Sequence, residues 1–235
     1  RPTPRRRAMR GGRVGLLVAL GLAFGLDHFN DPIRPPDDVT RRLGLPFLGL
    51  IPAVKGQPDR PVLSASSDFG EAIRALRTSL ALSHTTPGSA IVLVTSAQPL
   101  EGKTTTACNL AVALAHGGAR VLLIDADMRR PGVHAGLGVS NKSGLADLLG
   151  GRVHLTDAVQ RLAEPSLWVM PAGHTPSNPS ELLASERMDA LMRQVRTGPF
   201  DWVIIDTPPV LAVTDASIVA RWASGVAFVL GSEMT

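Results

Sequence analysis

Apolar runs alternate with helical stretches along the chain from residue 90 onward. The runs are rich in Val, Ile and Leu, which predicts strands buried on both faces: AIVLVTS (90–96), ARVLLIDAD (119–127), LWVMPAG (167–173), DWVIIDTPP (201–209) and GVAFVL (225–230). The stretches between them predict helices near 103–116, 144–149, 155–162, 179–196 and 214–222. This alternation predicts an α/β fold, in which a mostly parallel sheet has helices on both faces. Such sheets bind ligands at the carboxyl ends of their strands.

The first 67 residues follow a different pattern. Residues 14–26, VGLLVALGLAFGL, are uncharged and apolar, but they fall short of the ~20 residues that span a bilayer. A buried helix and a signal-peptide core therefore stay open, although we favour a membrane segment because no nearby pattern predicts a covering helix. We expect three parts: a basic tail with a transmembrane segment (1–29), a juxtamembrane linker (30–67) with a short docked piece at 41–52, and a globular domain (68–235).

Charge and composition narrow the function classes. Six of the 24 Lys and Arg residues lie in residues 1–13, which leaves 18 basic and 20 acidic residues in the remainder. The globular part therefore lacks the basic excess typical of nucleic-acid binding, and we predict no nucleic-acid partner. The single cysteine, Cys108, is expected to be a small buried hydrophobe, and the six scattered histidines show no zinc-ligand spacing.

Three motifs that could bind a ligand or take part in a reaction each follow a predicted strand. The first is Gly102-Lys103-Thr104, which opens a helix directly after the strand AIVLVTS. Backbone N–H groups at a helix N-terminus attract phosphate, a lysine adds positive charge, and a threonine hydroxyl can bind Mg²⁺. This strand–loop–helix context predicts nucleotide binding.

The other two motifs supply carboxylates. Asp125 and Asp127 end the run VLLIDAD, and they would project to one side if the strand continued that far. Such a pair could position Mg²⁺ and accept a proton, or could merely cap a turn. Asp206 ends the run WVIID, in the manner of a Walker B strand that binds Mg²⁺.

Together these motifs resemble the catalytic domain of the bacterial tyrosine kinases (BY-kinases) of polysaccharide assembly, which have a P-loop NTPase-like fold. The resemblance spans residues 68–230. It rests on SAQPLEGKTT (96–105) as Walker A, LLIDADMRRP (122–131) as Walker A′, VIIDTPP (203–209) as Walker B, GLADLLGG (144–151), PSNPSELLASERM (176–188) and the E-x-x-R-x-x-R motif EAIRALR (71–77). Residues 21–52 also resemble the end of the last transmembrane helix and the linker of a chain-length-determinant (polysaccharide co-polymerase) domain.

The resemblance implies an ATP-dependent protein-tyrosine autokinase module, a non-specific protein-tyrosine kinase that controls polysaccharide polymerisation and export. Its implied cofactors are ATP and Mg²⁺. Its implied partners are a tyrosine-bearing tail or substrate proteins, the polysaccharide export machinery, the membrane and further copies of itself in a ring. Its implied location is the bacterial plasma membrane, with the kinase domain in the cytoplasm.

The resemblance also assigns roles to individual residues. The implied catalytic residues are Lys103, Asp125 and Asp127, and the implied metal ligands are Thr104, Asp125 and Asp206. The implied nucleotide-binding residues are Glu101, Gly102, Lys103, Thr104 and Thr105. The implied oligomerisation residues are Glu71, Arg74 and Arg77, for which a merely solvated helix face stays open.

The sequence departs from the family pattern in three respects. Leu100 stands where the family has the first glycine of P-G-E-G-K, so we expect weakened nucleotide binding. The 235 residues contain no tyrosine. The arginines before residue 14 oppose the family's membrane orientation under the positive-inside rule.

Two other functions stay open. A switch ATPase of the cell-division and plasmid-partition type would share the fold and the carboxylates, but it carries a signature lysine where this chain has Gln98. A non-catalytic co-polymerase scaffold with a weakened nucleotide site would explain Leu100 and the missing tyrosines.

Overall fold

The computed structural model describes residues 40–41, 44–52, 68–83, 88–162 and 166–231. The chain separates into two compact units, Arg1–Phe47 and Leu48–Thr235. In the first unit, the amide of Gly44 donates a hydrogen bond to the carbonyl of Thr40, at 3.1 Å. The predicted membrane segment lies outside the described residues. Within the described ranges, no helix is long and apolar enough to cross a membrane.

The second unit is built on a six-stranded sheet with the strand order β3-β4-β2-β5-β1-β6. Its strands are β1 (Ala90–Ser96), β2 (Val121–Asp125), β3 (Gln160–Arg161), β4 (Leu167–Met170), β5 (Trp202–Asp206) and β6 (Gly225–Val229). Its helices are α1 (Asp68–Ser83), α2 (Lys103–His116), α3 (Val133–Leu137), α4 (Leu145–Leu149), α5 (Leu155–Ala158), α6 (Pro179–Leu183), α7 (Glu186–Arg196) and α8 (Asp215–Ala220). All neighbouring strands are parallel except β3, which pairs antiparallel with β4. The predicted P-loop NTPase-like α/β fold is confirmed.

Apolar residues cover both faces of the sheet. Ile91 and Leu93 of β1 face one core cluster, which includes α4, α6 and α7, whereas Val92 and Val94 face a second cluster formed largely by α1 and α2. Successive strand residues point to opposite faces, so a continuous apolar run is required where both faces are covered. Leu48 and Ile51, which belong to the part of the predicted docked piece that lies in the second unit, pack beside the second cluster.

Several element boundaries differ from the sequence expectations. The stretch 179–196 forms two helices instead of one, because Ser185 leaves the helical path and its hydroxyl accepts a hydrogen bond from the amide of Met188 to cap α7. The short edge strand β3 lies in a stretch that was expected to be helical, and the one-turn helix α3 was not expected. The strand β2 ends at Asp125, so Asp127 lies beyond it.

The sheet brings three strand ends together. β1 and β2 flank β5, and the parallel register places Val94 and Asp125 beside Asp206. The motifs that follow β1, β2 and β5 therefore meet at the carboxyl edge of the sheet, where α/β sheets bind ligands.

Candidate functional site

The loop between β1 and α2 is held by its own side chains. The hydroxyl of Ser96 donates to the carbonyl of Gln98 (2.8 Å), and the amide of Gln98 donates to Oε2 of Glu101 (2.7 Å). The other carboxylate oxygen of Glu101 accepts a hydrogen bond from the amide of Gly231 (3.1 Å), just after β6. Glu101 therefore shapes the loop in this structure through backbone amides.

Two positions in the loop, on either side of Glu101, have left-handed backbone geometry. Gly102, the N-cap of α2, has φ 87° and ψ 15°, which glycine adopts at little cost. Leu100 has φ 69°, the single positive value for a non-glycine residue within the described ranges, and its side chain is 90% exposed. Leu100 therefore adopts a left-handed backbone conformation that a residue with a Cβ disfavours, and this agrees with the mismatch that the sequence indicated.

Lys103 opens α2 and lies among carboxylates. Its Nζ is 2.7 Å from Oδ2 of Asp127 and 3.8 Å from Oδ2 of Asp206, and it donates to the hydroxyl of Thr104 at 3.2 Å. Burial lowers the pKa of Lys103, but the charges of Asp206 and Asp127 outweigh it, so the pKa is raised overall. The ammonium is thus positively charged and held over the strand ends.

Asp206 is completely buried at the end of β5. Its Oδ2 accepts a hydrogen bond from the hydroxyl of Thr104 (2.7 Å), whereas its Oδ1 is buried with no hydrogen-bond partner. Burial raises the pKa of Asp206 to about 6, although the charge of Lys103 and the Thr104 hydrogen bond oppose the shift. A buried acceptor without a partner is costly, and it marks a position where a cation would be stabilised.

Asp125 is also fully buried, but both of its carboxylate oxygens are engaged. Oδ1 accepts from the amide of Asp127 (3.1 Å), and Oδ2 accepts from the amides of Gly132 and Val133 (both 3.1 Å). Burial and the nearby charge of Asp206 raise the pKa of Asp125 well above its usual range. In this structure Asp125 folds the segment after β2 back upon itself.

Asp127 reaches the site from that segment. Because β2 ends at Asp125, strand alternation does not bring the two carboxylates together, and the expectation that they share a strand face is corrected. The loop positions Asp127 instead, with its Oδ1 accepting from the amide of Arg130 (3.0 Å) and its Oδ2 accepting from Nζ of Lys103 (2.7 Å).

The donor set fits Mg²⁺ in the presence of nucleotide. Carboxylate and hydroxyl oxygens suit this ion, which usually binds one or two carboxylates together with substrate phosphates and water. The unpartnered Oδ1 of Asp206 and the neighbouring Thr104 hydroxyl supply such oxygens. Among the described residues, no group of three His, Cys, Asp or Glu side chains could hold a metal by itself, so phosphate oxygens would complete the shell.

The remaining predicted nucleotide-binding residue, Thr105, lies half-buried in the first turn of α2, and its carbonyl accepts a hydrogen bond from the Asn109 side chain (2.8 Å). Cys108 is buried on the same helix, as predicted. The structure thus gathers Lys103, Thr104 and the three aspartates at one place.

The predicted oligomerisation residues lie on α1, on the side of the molecule formed by α1 and α2. Arg74 donates to the exposed carboxylate of Glu71 at 2.6 Å. Arg77 donates to the carbonyl of Ala113 on α2 at 3.2 Å. Arg77 therefore contributes to packing within the chain, and the three residues do not form part of the phosphate-loop site.

Three residues beside the site, Arg129, Ser180 and Asp215, were not predicted from the sequence. Arg129 donates from Nε to Oδ2 of Asp215 (2.8 Å) and from Nη2 to Oδ1 (3.3 Å), and the hydroxyl of Ser180 donates to Oδ1 at 2.6 Å. Asp215 is fully buried at the start of α8. The only sequence signal was a basic residue two positions after Asp127, and nothing in the sequence indicated which distant carboxylate it would meet.

The family model and the known proteins that resemble this chain indicate the same family. A family model described as an AAA domain matches residues 92–224. The tyrosine-protein kinase YwqD of Bacillus subtilis is 42% identical over 165 residues, which cover 70% of this chain and 69% of YwqD. The tyrosine-protein kinase Wzc of Salmonella typhimurium is 43% identical over 153 residues, which cover 65% of this chain and 21% of Wzc.

Solved structures agree with these relatives. The kinase domain of the Escherichia coli tyrosine kinase ETK superposes with a TM-score of 0.76 at 34% identity, over 84% of this chain and 81% of that one. A more distant match is the septum site-determining protein MinD of Pyrococcus horikoshii, complexed with Mg-ADP, with a TM-score of 0.51 and 26% identity over 60% of this chain and 57% of that one.

The chain is shorter than many of its relatives. It spans 31% of the length of two Ralstonia EpsB proteins and 21% of Wzc, whereas it spans most of YwqD. The match to YwqD and the AAA-domain match nevertheless agree with the motifs at the sheet edge. The chain belongs to the family of bacterial tyrosine-protein kinases, and residues 92–224 form its AAA domain.

Proposed function

We propose that this chain is an ATP-dependent protein-tyrosine kinase module that controls polysaccharide polymerisation or export. The observation that carries the proposal is the position of Lys103, held by Asp127 at 2.7 Å and near Asp206 at 3.8 Å, where β1, β2 and β5 end. The names of the relatives, YwqD, Wzc and ETK, support tyrosine as the acceptor.

In the proposed reaction, the helix N-terminus and the backbone of Gly102 bind the phosphates of ATP, and Lys103 contacts the β and γ oxygens. Thr104 and Asp206 would hold Mg²⁺, and Asp125, whose oxygens also accept backbone amides, would be a further ligand at the same strand edge. Bound Mg²⁺ would neutralise the negative charge that develops on the phosphoryl group during its transfer. Glu101 and Thr105 complete the loop around the phosphates.

Asp127 accepts the proton of the tyrosine hydroxyl in this proposal. In the present structure its Oδ2 accepts a hydrogen bond from the ammonium of Lys103 at 2.7 Å, so this oxygen is occupied. When Lys103 contacts phosphate oxygens instead, Oδ2 of Asp127 is released and can accept the hydrogen bond and then the proton of the tyrosine hydroxyl. The base thus becomes available only when nucleotide is bound, which limits unproductive chemistry.

The test is transfer of phosphate from ATP to a tyrosine peptide, with Mg²⁺ and the 235-residue chain. Lys103→Met should reduce the rate of phosphate transfer by about 100-fold or more. The substitution removes the buried ammonium that stabilises the negative charge of the transition state. Lys142→Met changes an exposed lysine and should leave the rate unchanged. Absence of phosphotyrosine with the unaltered chain and a range of peptides would sink the proposal.

A switch ATPase is the second candidate, because the fold extends to MinD. Gln98 argues against it, since the partition-type lysine is replaced and only the backbone of Gln98 has a hydrogen bond in the loop network described above. ATP-dependent dimerisation with hydrolysis and without phosphotyrosine would favour this candidate over the kinase.

A non-catalytic scaffold is the third candidate, favoured by the left-handed Leu100. Calorimetric titration separates it from the other two. Absence of binding heat at millimolar ATP and Mg²⁺ would support a scaffold, whereas saturable binding would remove its main argument.

The assembly and location are part of the same proposal. We place the kinase domain in the cytoplasm, tethered to the bacterial plasma membrane through residues 1–29 and the linker, and acting with the polysaccharide export machinery. Copies assemble in a ring through Glu71, Arg74 and Arg77, with tyrosine-bearing tails or substrate proteins as acceptors. The exposure of the Glu71–Arg74 pair is compatible with exchange of ion-pair partners between subunits.

A further inference from the structure

Arg129, Ser180 and Asp215, which we call the anchor cluster, join three segments beside the site. Arg129 belongs to the loop after β2, Ser180 to α6 and Asp215 to α8. Asp215 is fully buried and accepts three hydrogen bonds, two from the Arg129 guanidinium and one from the Ser180 hydroxyl. A further bond at 3.0 Å joins Arg129 Nη2 to the Ser180 oxygen.

The anchor cluster lies close in sequence to the proposed base. Arg129 is two residues after Asp127, and the amide of Arg130 donates to the Asp127 carboxylate at 3.0 Å. On the other side, Asp125 holds the amides of Asp127, Gly132 and Val133. The loop that carries Asp127 is therefore fixed internally by Asp125 and fixed to α6 and α8 by the anchor cluster.

We propose that Asp215 and Ser180 are positioning residues for phosphotransfer, because they fix Arg129 and thereby set where the Asp127 carboxylate lies relative to the acceptor hydroxyl. This inference rests on the proposed kinase function. Asp127 follows the end of β2, so no strand ladder holds it, and the anchor cluster supplies the missing rigidity. A displacement of about 1 Å in a reacting group can cost about 100-fold in rate.

The geometry is typical of a positioning contact. A bidentate guanidinium–carboxylate pair fixes orientation as well as distance, which a lysine cannot reproduce. The carboxylate is buried, so the pair is desolvated on the Asp215 side and little screened by salt there. An exposed ion pair would not restrain the loop in this way.

The experiment compares Asp215→Asn, Arg129→Lys and Ser180→Ala with the unaltered chain in the peptide assay, measuring kcat and ATP affinity separately. Asp215→Asn should lower kcat by about 10- to 100-fold. Ser180→Ala, which loses one hydrogen bond of the cluster, should lower it by about 2- to 10-fold. Arg129→Lys keeps the charge and should be intermediate. ATP affinity should change by no more than about threefold, because Lys103, Thr104 and Asp206 stay in place.

Asp147→Asn is the matched control. Asp147 is also buried and is paired with an arginine, Arg152, at 3.0 Å. It belongs to α4 and takes no part in the hydrogen bonds that hold the loop carrying Asp127. The kcat of the Asp147→Asn variant, per folded molecule, should stay within about twofold of the kcat of the unaltered chain. The proposal is overturned if Asp147→Asn loses as much kcat as Asp215→Asn, or if Asp215→Asn transfers phosphate at the unaltered rate.

Amide hydrogen exchange tests the anchor cluster independently of activity. Asp215→Asn should speed the exchange of the amides of Asp127, Arg130, Gly132 and Val133, while Asp147→Asn should not. If the unaltered chain transfers no phosphate, the proposed kinase function fails and this exchange pattern still decides whether the loop is anchored. Unchanged protection at these four amides in Asp215→Asn would refute the anchor itself.

Discussion

Leu100→Gly removes the left-handed backbone constraint in the phosphate loop. A non-glycine residue in this region costs about 1–2 kcal/mol. The Leu100 side chain is 90% exposed, so its removal loses little packing. Glycine also gains freedom in the unfolded chain, which costs about 0.5–1 kcal/mol. The net change should be a gain of about 0–1.5 kcal/mol in the free energy of unfolding.

Leu100→Ala separates backbone strain from the loss of the side chain. Alanine removes most of the same exposed atoms but keeps the Cβ that makes φ 69° unfavourable. Leu100→Ala should therefore show no stabilisation, and the difference between the two variants gives the strain less the entropy cost of glycine. Urea unfolding followed by tryptophan fluorescence supplies both values from the midpoints at a common slope.

The same change should strengthen nucleotide binding. If strain disfavours the loop geometry that receives phosphate, relieving about 1 kcal/mol raises the competent population by up to about fivefold, which calorimetric titration with Mg²⁺ and ATP can resolve. The reasoning is refuted if Leu100→Gly is no more stable than Leu100→Ala and binds ATP no more tightly.

Four further predictions concern other parts of the domain. Burial raises the pKa of Asp206 to about 6, so protonation should weaken Mg²⁺–ATP binding about tenfold at pH 5 relative to pH 7.5 in calorimetry, with Asp206→Asn removing this dependence. In the protein without nucleotide, the native state holds the Asp206 proton more tightly than the unfolded state, whose value is near 3.8, so the unfolding free energy should fall as the pH rises from about 4 to 6. Gly144→Ala would bring a Cβ within 2.0 Å of the carbonyl oxygen of Pro171, and it should lower the unfolding free energy by about 1–3 kcal/mol in urea titration, where no loss would contradict the packing. Arg120→Ala breaks an exposed pair with Asp201 at 2.8 Å and should leave the urea unfolding midpoint almost unchanged, so a clear fall in the midpoint would contradict the weak, screened character of the pair.

The sequence predicted the order and type of most elements, since strands buried on both faces require continuous apolar runs. The strand β1 and the helix α2 have the predicted bounds. The strand order was beyond prediction, because it depends on crossovers between distant segments. The break at Ser185 was missed because one helical periodicity continues across it, and only the cap geometry shows the interruption.

The candidate site was predicted less completely than the fold. Lys103, Thr104 and the aspartates were identified because their motifs follow strands. Their partners were not, since the hydrogen bonds of Asp125 and the anchor cluster depend on loop geometry that no short-range pattern encodes. Asp215 in particular contacts Arg129 across 86 positions of sequence.

Glu101 connects the phosphate loop mechanically to the segment after the neighbouring edge strand β6. One carboxylate oxygen holds the loop at Gln98 and the other holds Gly231 after the edge strand β6. A pull on the chain after β6 is therefore transmitted to the loop until one of these bonds breaks. Each hydrogen bond to this carboxylate contributes about 1.5–3 kcal/mol, so the linkage breaks under a load too small to unfold the sheet.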